Sequence, residues 1–118
     1  MSDTAKLDNS LNAQILTGDI LGAFDQYYAD DVVMQENTAE PTNGKAPNRK
    51  REEDFVGSIA EVHDFKLLGA AVNGDTSYSE WEMDLTFKNG YRALMTQVAS
   101  RRWKDGKVVW ERFYYNKG

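Results

Sequence analysis

The chain has 118 residues, a net charge of −5, 41% hydrophobic residues and no cysteine. That length is enough for one core, and the negative balance argues against nucleic acid as a partner. Disulfides, thiol nucleophiles and thiolate metal sites are excluded. A lone histidine, His63, rules out a three-histidine zinc site in one chain and would have to serve any Ser-His-Asp triad. No apolar run approaches the roughly 18 residues of a membrane span, so no membrane partner is expected. The opening Met-Ser-Asp-Thr-Ala-Lys lacks the apolar stretch of a signal peptide, which makes the cytoplasm the expected location.

In chain order, Leu7, Leu11 and Ile15 recur at helical spacing with Asn and Gln on the other side, predicting a helix over 3–16. Thr17-Gly18 breaks it. Asp19 is placed to cap a second helix, because its carboxylate accepts from the free N–H groups of the first turn. Ile20, Leu21, Phe24 and Tyr27/Tyr28 mark that helix, Ala29-Asp30-Asp31 ends it, and 32–36 reads as a strand ending on an acid. Residues 37–48 hold both prolines and read as a loop. A third helix is expected from near Asn48 to about Val62, with Phe55, Ile59 and Val62 on its buried face. Strands follow over 66–72, 77–88, 91–104 and 107–115, with Asn89-Gly90 and Asp105-Gly106 as two-residue hairpin turns. This order predicts an α+β fold, with three helices packed on one face of a curved antiparallel sheet.

Two-residue turns set a register: Leu85 opposite Leu94, Met83 opposite Thr96, Trp81 opposite Val98, Val98 opposite Phe113 and Ser100 opposite Glu111. Since side chains alternate, one face would carry Trp81, Met83, Leu85, Phe87, Leu94, Thr96, Val98, Val109, Glu111, Phe113 and Tyr115. It is the apolar face and is expected under the helices. The other face would carry Glu80, Glu82, Asp84, Met95, Gln97, Arg101, Trp103, Trp110, Arg112 and Tyr114. Acids, arginines and aromatics mixed in this way suit an interface, so a homodimer through the outer face is expected; the alternative is a solvated face of weak ion pairs. One β-bulge would swap the faces beyond it.

Four segments, taken in order and spacing, carry a resemblance. They are Thr17-Gly18-Asp19-Ile20-Leu21-Gly22-Ala23-Phe24, Tyr28-Ala29-Asp30-Asp31-Val32-Val33, Gly44-Lys45-Ala46 and Trp103-Lys104-Asp105-Gly106-Lys107-Val108-Val109. Over nearly its whole length the chain resembles the nuclear transport factor 2-like superfamily, in its SnoaL-like and ketosteroid isomerase-like branches. The resemblance implies one domain over 1–118, a cone made of the curved sheet and three helices, a pocket for a small apolar molecule inside it, and a homodimer. It leaves the activity open, because that cone serves isomerases, cyclases, dehydratases and plain binding modules.

Matched from Tyr28, the catalytic base of steroid delta-isomerases falls on Glu36. A carboxylate in an apolar cavity can move a proton beside a carbonyl. Glu36 could equally line the pocket without reacting, or simply begin the polar loop. The oxyanion donors of those isomerases fall on Leu11 and on Val98 or Ala99, none of which has a side-chain donor. A missing donor lowers the rate by about 100- to 1000-fold, so steroid isomerisation is not expected. Glu111, on the expected inner face, could form a carboxylate pair with Glu36, or stand in water at the cone mouth. Thr96 offers a hydroxyl and Trp81 an N–H. Such a set suits proton transfer or an amine-bearing ligand. The expected lining is Met34, Phe55, Trp81, Met83, Thr96, Val98 and Phe113. His63 is expected at a helix end, Arg49-Lys50-Arg51 with Glu52-Glu53-Asp54 as a solvated face of local ion pairs, and Asp30-Asp31 as a turn; no metal or cofactor is expected. Three functions remain: a small-molecule pocket protein, an interaction module whose cone is filled by its own side chains, and a proton-transfer enzyme of isomerase, cyclase or dehydratase type acting on an apolar carbonyl compound.

Overall fold

The computed structural model describes residues 3–116. Its elements are α1 (Asp3–Leu16), α2 (Ile20–Tyr27), β1 (Tyr28–Glu36), β2 (Thr42–Asn43), α3 (Lys45–Gly57), β3 (Ile59–Asn73), β4 (Thr76–Phe87), β5 (Arg92–Lys104) and β6 (Lys107–Tyr115). They build a six-stranded sheet in the order β2-β1-β6-β5-β4-β3. The class is α+β, and the sheet is curved but unclosed. It departs from the expected antiparallel sheet in one place: β1 runs parallel to β6. A parallel pair needs a long crossover, and here most of the chain lies between its two members.

α1 buries two stripes side by side. Leu11 is the apolar one and belongs to the core with Ala23, Phe24, Tyr28, Val32, Met34, Trp103 and Val108. Asp8 and Asn12, one step round the helix, are equally buried; the second was expected on the outer side. α2 starts as expected, with Asp19 Oδ1 accepting from the Gly22 N–H at 3.0 Å.

α3 begins earlier and ends earlier than expected. Pro47 sits in its first turn, where a missing N–H leaves no hydrogen bond unmade, so the proline does not mark a loop. Asn48 lies inside the helix, buried, and its amide donates to the carbonyls of Thr42 and Gly44, each at 2.9 Å. Ile59 and Val62 are not on a helix but on β3. His63 is there too, its Nε2 2.7 Å from Thr86 Oγ1, and so not at a helix end.

The β4–β5 connection decides the faces. It is a three-residue loop: Phe87 N–H donates to Tyr91 O and Gly90 N–H to Phe87 O, both at 2.8 Å. Gly90 takes φ +90°, a conformation that glycine adopts without strain. The extra loop residue pairs Leu85 with Ala93, Met83 with Met95 and Trp81 with Gln97. Arg101 (2% exposed), Trp103 and Ala99 are therefore buried, while Leu94 is 67% exposed. At the β5–β6 turn Lys104 pairs with Lys107 as expected, but an irregularity between Arg102 and Trp103 shifts the rest by one, so Ala99 faces Phe113 and Arg101 faces Glu111. The two shifts cancel for the end of β6, where Glu111 stays inside as expected; nearer the turn Val108, not Val109, is the buried residue.

Candidate active site

Arg101 is the hub of a buried polar network. Its Nε donates to Glu111 Oε2 at 2.7 Å, and its Nη1 donates to Asp8 Oδ1 at 2.9 Å and Asn12 Oδ1 at 2.6 Å. Tyr28 O–H donates to the other Glu111 oxygen at 2.6 Å. Ser77 O–H donates to Asp8 Oδ1 at 2.7 Å, and Trp103 N–H to Ser77 Oγ at 2.9 Å. Burial works against the Arg101 charge, but Tyr28, Glu111 and Asp8 around it hold its pKa above the ordinary arginine value. Burial, and then the Glu111 charge, push the Tyr28 phenol well above its ordinary value, so it stays a proton donor to Glu111. A buried charge is tolerated only when paired and hydrogen-bonded in this way.

Beside the network lies a cavity of about 840 Å³, between the helices and the inner sheet face. This is within the usual range for small-molecule sites. Its walls are largely apolar and include aromatic pairs, with Phe65 packed on Trp81 at 5.4 Å between centroids and Phe55 edge-on to Phe87 at 6.4 Å. The polar side chains at its surface include Glu36, Arg51, Glu52 and Gln97.

Glu52 is the chemically distinctive one. On α3, Asn48, Glu52 and Phe55 follow at i, i+4 and i+7 and form the stripe turned to the cavity. Its carboxyl is half-buried, and its pKa is raised to about 7 by burial first, then by the charges of Glu111 and Glu36, with Arg51 opposing. Among the described residues none donates a hydrogen bond to it. The neighbouring Arg51 is committed elsewhere, to the Glu36 carboxylate and, at 3.1 Å, to Thr42 Oγ1. Glu36 is at the rim, its side chain 43% exposed. Tyr115 stands over it, with a phenol pKa raised by burial and then by the Glu36 charge.

The profile of the SnoaL-like domain family matches residues 14–115 of this chain. The chain belongs to the SnoaL-like domain family. A solved structure from Mesorhizobium loti, provisionally named a SnoaL-like polyketide cyclase with carbohydrate phosphatase as a bracketed second name, is 31% identical, with a TM-score of 0.86 over 98% of this chain and 100% of that one. One from Pseudomonas putida, provisionally named a polyketide cyclase, is 20% identical, with a TM-score of 0.78 over 99% of this chain and 94% of that one. An epoxide hydrolase from M. tuberculosis is 14% identical, with a TM-score of 0.75 over 96% and 82%. The last two show the shared fold. No curated protein matches the chain.

In this SnoaL-like domain, Met34, Glu36, Phe55, Trp81, Met83, Glu111 and Phe113 all border the cavity. Thr96 touches its wall, but its side chain is exposed and its strand partner is Glu82. Val98 does not line it; that residue pairs with Glu80 and Tyr114 towards the outer face. The Trp81 N–H is engaged by Ser79 Oγ at 2.8 Å. Glu36 and Glu111 do not meet as a free pair, since each is held by its own arginine. Arg49 and Lys50 form local ion pairs as expected, with Asp25, Glu53 and Asp54. The sequence reading missed Glu52, Arg101 and Gln97. The Asn48-Glu52-Phe55 spacing was the available signal for Glu52, which reads instead with Glu53 and Asp54 as part of a solvated face of ion pairs. Nothing local marked Arg101 or Gln97, whose direction depends on one extra loop residue.

Proposed function

We propose that this SnoaL-like domain is a small-molecule pocket protein that transfers a proton on an apolar carbonyl compound, in an isomerase-, cyclase- or dehydratase-type reaction, with Glu52 as the proton carrier. One observation carries the reading: a carboxyl with a pKa of about 7 and no hydrogen-bond partner among the described residues borders a largely apolar cavity. A group poised near neutrality works in both directions. As a carboxylate Glu52 takes a proton from the carbon next to the carbonyl. As an acid it returns that proton to another atom of the ligand and is regenerated.

The developing enolate oxygen needs a donor. Gln97 supplies the amide: it is half-buried, borders the cavity next to Trp81 in the register, and its side chain has no partner among the described residues. It takes over the task that Leu11 and Ala99 cannot perform. Glu111, with both oxygens engaged, acts as a positioning residue for Tyr28 and Arg101. Glu36 and Arg51 form a rim pair. The provisional names of the Mesorhizobium loti and Pseudomonas putida proteins support a polyketide-like carbonyl ligand. The same reading includes a homodimer through the outer sheet face. Its support is the exposed Leu94 and Tyr114, with Arg112 over Tyr114 and Arg102 over Trp110 at 4.9 and 4.8 Å. It also includes a cytoplasmic location, supported by the cysteine-free sequence.

The test is proton exchange followed by NMR. Apolar methyl ketones in deuterated buffer should lose their α-protons faster with the wild type than with Glu52→Gln, by about 100-fold or more, and Gln97→Leu should slow the exchange while ketone binding persists. Binding without any exchange would leave a non-catalytic binding module.

A further inference from the structure

The charges around the cavity do not balance. Its lining carries three carboxyls, Glu36, Glu52 and Glu111, and two guanidiniums, Arg51 and Arg101. Arg101 is also shared with Asp8 from α1, and Arg51 is taken by Glu36. Every acid in the group except Glu52 has a cationic partner, Asp8 and Glu111 sharing Arg101. The groups facing Glu52 are Arg51 on its own helix, Glu36 and Tyr28 on β1, and Glu111 on β6, which is backed by Arg101 on β5. Neither guanidinium of the lining is therefore left free to pair with Glu52. The remaining walls include the aromatic rings of Phe24, Tyr28, Phe55, Phe65, Trp81 and Phe87. Ring faces attract cations, and a carboxylate accepts but does not donate.

From this juxtaposition we infer that the cavity takes a lipophilic amine as its ammonium ion, paired with the Glu52 carboxylate, and disfavours apolar carboxylates. The natural ligand then combines an apolar body with a basic nitrogen. The inference rests on the reading of the cavity as a ligand pocket and is independent of catalysis. Because the pKa of Glu52 is about 7 in the protein alone, an incoming ammonium draws it into the ionised form and a proton is released.

Three probes of one shape separate the arms: amantadine, adamantyl methyl ketone and adamantane carboxylate, titrated calorimetrically into the full chain. In mildly alkaline buffer, amantadine should bind at least about tenfold tighter than the ketone and the carboxylate, as a charge-assisted hydrogen bond would give. About the same factor should be lost in Glu52→Gln and in acidic buffer, while ketone binding stays level across both. At neutral pH the heat of amantadine binding should change with the ionisation enthalpy of the buffer, a proton-release signature that a merely misfolded variant cannot imitate. The inference is overturned if the carboxylate matches the amine, if Glu52→Gln binds amantadine as well as the wild type does, or if no probe binds. Ketone binding with weak amine binding overturns it and leaves the pocket reading standing. Amine binding that depends on Glu52, without ketone proton exchange, supports it and removes the catalytic reading.

Discussion

Glu52 makes the protein's stability depend on pH in a direction set by its shift. Its ordinary pKa is 4.5 and its folded value is about 7, so between these values the folded chain holds a proton that the unfolded chain has lost. Stability falls as pH rises through that window and levels off above it. Removing the ionisable group removes the loss. Glu52→Gln should match the wild type near pH 4 and exceed it near pH 8 by on the order of 1–3 kcal/mol. In a domain of this size that is about 4 °C or more of thermal midpoint; parallel pH profiles for the two proteins would refute it. Arg101 sits at the opposite extreme. Its loss leaves Asp8 and Glu111 buried without a counter-charge. Arg101→Leu should therefore lower the unfolding free energy by about 3–5 kcal/mol, measured by urea denaturation, and adding Glu111→Gln should restore part of it.

At the scale of one element, α2 couples its cap to a glycine. It is 8 residues long, and a Cβ on Gly22 would run into the Asp19 carboxylate that caps it. Alanine for glycine in a helix ordinarily adds about 1 kcal/mol, and a lost cap removes about the same. Gly22→Ala alone should thus change stability little or lower it. In an Asp19→Ala background it should stabilise by about 1 kcal/mol. A double-mutant cycle measures the coupling, and a gain from Gly22→Ala that ignores residue 19 would contradict the geometry. The β4–β5 hairpin carries a larger consequence in a smaller feature. Asn89-Gly90 signals a turn but not its length. With three loop residues instead of two, every side chain of β5 changes face, which brings Arg101, Ala99 and Gln97 inside and sends Val98 out.

For the molecule as a whole, the expected outer interface keeps some of its residues and exchanges others. Trp110, Arg112 and Tyr114 are not in the cavity lining, and Val98 joins them in place of Arg101 and Trp103, with the exposed Leu94 at the edge where cavity and outer face meet. Val98 pairs with Tyr114 at the middle of this face. If the face joins two copies, Val98→Glu should give a monomer in analytical ultracentrifugation, with an unchanged circular dichroism spectrum and an intact response to cavity ligands. A wild type that sediments as a monomer would refute the dimer.

Fold class, the α1 and α2 spans, the Asp19 cap and the bounds of β6 were all legible in the sequence. Each depends on residues within a turn or two of one another, through periodicity or capping. The match to the family's ordered segments likewise needs only sequence. The candidate site was legible in part. Met34, Phe55, Trp81 and Met83 are apolar residues whose side of the sheet or helix does not depend on the β4–β5 loop, and Phe113 stays inside because the two register shifts cancel. What only the tertiary structure decided is which charges meet. Arg101 joins Asp8 from 93 positions away and Glu111 across a shifted register, and Glu52 gains its raised pKa from burial and from acids on two strands. Desolvation and Coulomb terms act through space, and no local pattern in the chain encodes them.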